Sequence, residues 1–307
     1  MNKIKTSFAL LAQSFRQITQ HPKLLLFPLV NFVGLLIIFA FFVLPLFLDT
    51  SIFSIGEDFS TFTEQMQARE DRSEQVSFGN VTMGDGDVHF PFLPLAITYM
   101  ATMFIMTFLN VAFYHEIMQA FNGNAVHISR GLAFACTKLK AILAWSLLAG
   151  IVGLIIRKIE ENVGFAGRWI MGLLGFSWSV ASVFAIPVII RETQQGNPLA
   201  YLKTSAGIIK RTWGEGLVGI ASISLTIVLI FMLLVSFSVG LMVAFNTTVL
   251  FIIIPIVLCG IIVILGYLSS VLQDVFLCGL YVYATEGVAP GGFDQELLDS
   301  AWKIKKK

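Results

Sequence analysis

Long uncharged apolar runs alternate with short amphipathic segments along this chain of 307 residues. An α-helix rises ~1.5 Å per residue, so about 20 apolar residues cross the roughly 30 Å hydrocarbon core of a membrane. Runs that meet or approach this length predict six transmembrane helices, at residues 24–48, 92–118, 141–156, 169–190, 217–245 and 249–284. The pattern therefore predicts an all-α fold, a polytopic membrane helix bundle.

The first and last of these runs have features of their own. The first starts after 23 residues and has no small-residue cleavage site, which predicts a retained anchor rather than a cleaved signal peptide. The last run, 249–284, is longer than the bilayer is thick. Its helix must tilt, break near Pro255, Gly260 or Gly266, or project into the cytoplasm.

Three amphipathic segments lie between the apolar runs, at residues 1–23, 129–140 and 198–213. In the second, one apolar stripe is formed by Leu132, Cys136, Leu139 and Leu143. In the third, apolar residues recur at spacings of three and four, and the basic residues fall off that stripe. This is typical of a helix in a membrane interface; the alternative is a helix packed on the protein's own core. The candidate lipid contacts are Lys203, Lys210, Arg211 and Trp213.

The basic residues predict the orientation of the chain. Of its 20 Lys and Arg residues, 15 lie in the N-terminal segment, the connections 119–140 and 191–216, and the tail 285–307. Because such residues stay on the cytoplasmic side, both termini are expected in the cytoplasm and the acidic loop 49–91 outside the inner membrane. The chain then presents a cytoplasmic amphipathic helix, an outward span and a returning span three times, a pseudo-repeat of three hairpin units.

Composition excludes several classes of function. The chain is 56% hydrophobic and 13% charged, whereas soluble domains carry about 25% charged residues. A net charge of +1 gives no electrostatic footprint for nucleic acid. The three Cys and four His are scattered and form neither a CxxC nor an HExxH motif. We therefore expect no disulfide framework, no metal site and no cofactor.

Charged and polar residues gather at the predicted cytoplasmic boundary of the spans. The group comprises His115, Glu116, Arg191, Glu192, Glu215, Asp274 and Glu286. Three interpretations stay open: helix ends meeting water with ion pairs such as Arg191 to Asp274, a site for a lipid headgroup or partner, and a catalytic His115–Glu116 pair. The catalytic interpretation is the weakest, because no nucleophile accompanies the pair and neighbouring residues on a helix point apart.

Several stretches carry a resemblance to a known family. They are AWSLLAGIVGLIIRKIEENVGFAGRWIMGLLGFSWSVASVFAIPVIIRE, LAYLKTSAGIIKRTWGEGLVG, LLLFPLV, FLNVAF and LYVYATEGVAPGGFDQELLDSAWKIKK. With the exception of 49–91, nearly the whole chain resembles a bacterial integral-membrane family known as a domain of unknown function. This implies the fold and a membrane location and carries no catalytic residues. More loosely, the layout resembles the membrane domain attached to some glycerophosphodiester phosphodiesterases.

These observations favour a non-enzymatic membrane protein that acts in membrane organisation, in lipid handling or as an accessory to other membrane proteins. Membrane lipids and other membrane proteins are the expected partners. One alternative is a transporter or channel, but no Asp, Glu, Lys or Arg lies at the predicted midplane of any span. Within the first span, Asn31 predicts an interhelical hydrogen bond. A second alternative is an intramembrane enzyme.

Overall fold

The computed structural model describes residues 3–43, 92–192, 196–212, 228–229, 231–238, 240 and 248–301. Within these ranges the chain is helical and contains no strand, so the all-α prediction is confirmed. The longer helices are α1 (Lys3–Gln20), α2 (Leu26–Ile38), α3 (Phe92–Phe121), α4 (Ile128–Thr137), α5 (Leu139–Asn162), α6 (Phe165–Ser182), α7 (Ala185–Arg191), α8 (Pro198–Thr212), α9 (Thr248–Glu286) and α10 (Gln295–Ala301). A 3-10 turn, Pro22–Leu25, precedes α2, and a π turn, Phe39–Val43, follows it.

Five helical stretches of the described residues are long and apolar enough to cross a membrane. They are Pro22–Phe41, Ala96–Phe121, Leu139–Asn162, Gly167–Arg191 and Pro255–Glu286. The protein is therefore membrane-embedded. Most of the fifth predicted span, 217–245, lies outside the described residues, and its described part includes helical residues 231–238.

The buried core lies at one end of these spans. Burial is concentrated late in α3, early in α5, in α7 and late in α9, which are the ends that meet when successive spans alternate in direction. We call this region the core end. At the other end, large apolar side chains such as Phe32, Trp169 and Ile264 are exposed. Lipid stabilises such a surface, whereas water would penalise it by about 25 cal/mol per Å².

Helix α4 ends earlier than the sequence pattern predicts. The amphipathic segment was expected to continue to residue 140, but the helix stops at Thr137 and a new helix begins at Leu139. Lys138 between them leaves helical geometry, with φ −105° and ψ 12°, and its Nζ donates a hydrogen bond to the backbone carbonyl of Glu192. The predicted stripe is therefore wrong, because Leu139 and Leu143 belong to α5 and are exposed.

The predicted fourth span, 169–190, is divided into two helices. Helix α6 ends at Ser182, and α7 begins at Ala185. Pro187 explains the break, because proline lacks an N–H and its ring collides with the carbonyl four residues earlier, that of Val183. The amide of Phe184 at the break donates instead to Ser205 Oγ in α8, at 3.0 Å. The break between the two helices thus frees the Phe184 amide, which fastens α8 to this span.

Helix α9 continues without a break for 39 residues. At ~1.5 Å per residue its length is about 58 Å, well beyond a hydrocarbon core of roughly 30 Å. Of the three alternatives given above for this run, a break near Pro255, Gly260 or Gly266 does not occur. The surplus length is used at the core end, where residues 271–283 supply much of the buried surface.

The segment after α9 turns back and packs on the beginning of the chain. Gly287 ends α9 with a positive φ of 73°, which favours glycine. The amide of Asp294 donates to Gln13 Oε1 in α1 at 3.2 Å, and Tyr283 Oη donates to Asp299 Oδ1 at 2.5 Å. Residues 287–301 therefore form a return segment that joins α1 to the core end.

We expect the close crossing of α3 and α4 to fail when Gly131 gains a side chain. A Cβ atom at this position would lie 2.7 Å from the Ala112 carbonyl oxygen, so Gly131→Ala should lower the free energy of unfolding by about 1–3 kcal/mol. Gly207→Ala is the matched control, because a Cβ on this helical glycine meets nothing within 4 Å. Thermal unfolding in detergent measures both, and equal stability of the two variants would contradict the tight crossing.

Candidate functional site

Glu116 is the polar centre of the core end. Its side chain is 0% exposed, and its carboxylate accepts hydrogen bonds from Arg130 Nε at 2.8 Å and Nη2 at 2.7 Å. The amide of His127 donates to Oε2 at 2.8 Å. Arg130 Nη2 also donates to the carbonyl of Ala125. These are charge-assisted bonds in the fork-shaped geometry that arginine and carboxylate favour.

The local sequence explains how these groups meet. Helix α3 ends at Phe121, and Gly123 adopts a positive φ of 78°, so the chain reverses and α4 runs back past Glu116. His127 precedes α4 without a capping side chain of its own, and the Glu116 carboxylate binds its amide instead. Glu116 therefore acts as a remote cap that fixes the α3–α4 turn.

His115 lies against the same carboxylate. Its Nδ1 is 3.2 Å from Glu116 Oε1, and its ring stacks on Phe134 with centroids 3.9 Å apart. The expectation that these neighbours point apart is wrong, because the stacking on Phe134 turns the imidazole back towards Glu116. His115 Nε2 faces Gln119 Nε2 at 3.4 Å. The groups around this pair are an arginine, a glutamine and a backbone amide, which position a carboxylate and supply no nucleophile.

The predicted ion pair between Arg191 and Asp274 is wrong. Arg191 pairs with Glu286 at 2.6 Å, and Asp274 accepts a hydrogen bond from Tyr114 Oη at 2.7 Å. The physical reason is position along α9: Asp274 precedes Glu286 by twelve residues, or about 18 Å. Arg191 ends α7 at the level of Glu286, so the predicted group does not form one layer.

Lys138 and Glu192 meet between the end of α4 and the end of α7. Lys138 Nζ donates to the backbone carbonyl of Glu192 at 2.7 Å and lies 5.9 Å from the centre of the Phe134 ring. Burial lowers the pKa of Lys138, and the nearby charge of Glu192 opposes that shift. Glu192 Oε2 is buried and has no hydrogen-bond partner. The Lys138 ammonium and the Glu192 carboxylate thus lie near each other without forming a salt bridge.

Sequence reasoning missed the two basic residues that matter most at the core end. Arg130 was expected to lie off the apolar stripe of an interfacial helix, and Lys138 was not singled out at all. Instead, Arg130 binds a carboxylate, which raises the pKa of its guanidinium, and Lys138 is 9% exposed. No spacing rule joins Glu116 to Arg130 across a turn, and Gly123-Asn124 was the available signal that the chain reverses there.

The other predicted residues are less closely connected to this site. Lys203 and Lys210 are exposed on α8. Trp213 and Glu215 lie outside the described residues, as does the side chain of Arg211. Within the described ranges, His, Cys, Asp and Glu form no group of three that could hold a metal ion.

We expect the Glu116 cap to make a large contribution to stability. Glu116→Gln removes the charge that Arg130 and the His127 amide bind and should lower the free energy of unfolding by about 3 kcal/mol. Glu161→Gln is the matched control, because its pair with Arg157 is exposed and worth at most ~1 kcal/mol. Thermal unfolding of both variants in one detergent tests this; an unchanged midpoint for Glu116→Gln would contradict the capping role.

Comparison with known protein families gives one match. Residues 90–292 match a family of unknown function, DUF6159. No curated protein and no solved structure matches the chain, so the looser resemblance to phosphodiesterase membrane domains gains no support. The family match covers the described helices from α3 to α9 and the intervening residues. The chain therefore belongs to this family of unknown function, DUF6159.

Proposed function

We propose that this is a non-enzymatic protein of the inner membrane that handles lipid or serves as an accessory to other membrane proteins. The observation that carries this proposal is that the polar residues at the core end are bonded to other groups of the protein. Glu116 caps a helix, Arg191 pairs with Glu286, and Asp274 binds Tyr114. Groups engaged in such bonds stabilise the fold, and these bonds favour a structural role over an intramembrane enzyme.

The orientation proposed here has both termini in the cytoplasm. The core end, with α1, α4, α8 and the return segment, then faces the cytoplasm, and the acidic loop 49–91 lies outside. Positive-inside charge supports this orientation. With residues 217–245 as a sixth span, α1, α4 and α8 each precede an outward span, which is the proposed repeat of three hairpin units.

Helix α8 is the best candidate for contact with lipid headgroups. Lys203 and Lys210 are exposed, and Leu199, one turn before Lys203, is 63% exposed. A helix at the interface would place this leucine among acyl chains and the lysines among phosphates. Arg211 and Trp213 continue the same segment and belong to the proposed contact.

A polar contact between α2 and α3 bears on the transporter alternative. Asn31 Nδ2 in α2 donates to Asn110 Oδ1 in α3 at 3.4 Å. The predicted interhelical hydrogen bond of Asn31 is therefore present. A bond between two helices uses polar groups to hold the bundle together, which favours packing over permeation.

Native mass spectrometry of the gently purified protein should show at least one retained phospholipid per chain. Replacing Lys203 and Lys210 together with Gln should reduce that retention, because the bound phosphates lose two cations. The control replaces Lys158 and Arg168, which are exposed near the hairpin on the opposite side. A bare monomer from the wild-type protein would contradict lipid handling, and equal losses from both double variants would contradict a role for α8.

The proposed orientation can be tested at a natural acceptor sequence. Asn80-Val81-Thr82 lies in loop 49–91, so expression in a eukaryotic host should add a glycan there if the loop is translocated. Asn80→Gln should remove the corresponding mass shift. A glycan on a sequon engineered into 191–216, with none on Asn80, would reverse the orientation.

A further inference from the structure

Lys138 and Glu192 form a polar pair whose bonding capacity is incompletely used. A lysine ammonium has three N–H donors, and Lys138 makes one hydrogen bond, to the Glu192 carbonyl, besides its contact with Phe134. Glu192 Oε2 is buried without a donor. Unsatisfied buried carboxylate oxygens are costly, so such an atom needs an explanation. One explanation is a ligand that supplies the missing hydrogen-bond partners.

The pair lies beside an apolar surface at the core end. Leu139 and Leu143 follow Lys138 on α5, and their side chains are 43% and 49% exposed. In a membrane this surface is covered by acyl chains. A lipid lying along α5 would thus bring its headgroup to the start of that helix, where Lys138 and Glu192 lie.

The two charges restrict the headgroup that fits. A purely anionic group would satisfy Lys138 but would meet the carboxylate of Glu192 with the wrong sign. A cationic group alone would leave Lys138 without an acceptor. A zwitterion with a phosphate and an ammonium satisfies both side chains. Glu192 Oε2 lacks a hydrogen-bond donor, so a primary ammonium fits, whereas the trimethylammonium of choline has no N–H to give.

We propose that Lys138 and Glu192 bind the phosphoethanolamine headgroup of a phospholipid. Lys138 Nζ donates to the phosphate, and Glu192 Oε2 accepts from the ethanolamine ammonium. Glu192 as a whole residue is partly exposed, and the proposed binding requires its side chain to turn so that the buried Oε2 meets the headgroup. This inference rests on the proposed function in lipid handling and gives it a specific lipid class.

Competition between lipids tests the inference on the wild-type protein. The purified chain is exchanged into micelles that contain phosphatidylethanolamine, phosphatidylcholine and phosphatidylglycerol in equal amounts, and retained lipid is measured by native mass spectrometry. We expect roughly tenfold retention of the ethanolamine lipid over the choline lipid, the value of one charge-assisted hydrogen bond. Equal retention would overturn the inference and leave lipid handling intact. Retention of no lipid would contradict both.

Variants separate the two halves of the headgroup. Glu192→Gln should bring ethanolamine and choline lipids to near-equal retention, while Lys138→Met should lower retention of all three lipids. The matched controls are Glu296→Gln and Lys140→Met, which change exposed charges on α10 and on α5. A preference for ethanolamine that survives Glu192→Gln in a variant that elutes as the wild type would overturn the assignment of Glu192. The wild-type competition stands even if a variant fails to fold.

A soluble competitor distinguishes the source of the headgroup. Free glycerophosphoethanolamine carries the same phosphodiester anion and primary ammonium without acyl chains, so it should displace the bound lipid only in large excess. Displacement at a concentration equal to that of the lipid would show that the free compound is the ligand and would overturn the lipid assignment.

Discussion

A fully buried carboxylate fixes the most densely packed part of this protein. Burial of this carboxylate is offset because Arg130 and the His127 amide supply three donors to its two oxygens. That arrangement requires the chain to reverse after α3 and requires α4 to approach closely, which Gly131 permits. Helices α5 and α7 also pack on α3, and with the α3–α4 turn they enclose the core end.

The molecule is thereby divided into two parts with different solvents. At the core end, protein surrounds the side chains, and polar groups are bonded in pairs such as Arg191 with Glu286. In the remaining part, apolar side chains face outward and depend on lipid. Helix α9 belongs to both parts, because residues 255–264 are largely exposed and residues 271–283 are largely buried. The position of Lys138 and Glu192 near the border places the proposed headgroup site where the two solvents meet.

The sequence predicted those features that depend on local composition. Uncharged runs of membrane length located α3 and α9, because hydrophobicity summed over 20 residues is a strong signal. Asn197 is a favourable N-cap residue and Pro198 suits the first helical position, so this pair located the start of α8. These signals need no knowledge of the tertiary contacts.

Features that depend on contacts between distant segments were not predictable in this way. The break at Val183–Phe184 was not predicted, because the long apolar run indicated one continuous helix and the effect of Pro187 within that run was not considered. To predict that Arg191 pairs with Glu286 and not with Asp274, one must know how far the end of α7 lies along α9. At the candidate site, Glu116 was recognisable as a polar residue in an apolar helix, but its partner Arg130 was hidden by the chain reversal.

The return segment has a consequence for how the chain is made. Gln13 and Asp294, which are bonded to each other, are separated by 281 residues. At about 5–20 residues per second, a ribosome needs on the order of 15 to 55 seconds to synthesise the intervening chain. Throughout that interval the apolar face of α1, including Leu10 and Ile18, lacks its last partner. An amphipathic helix can spend this time at the membrane surface, where lipid shelters the face that protein later covers.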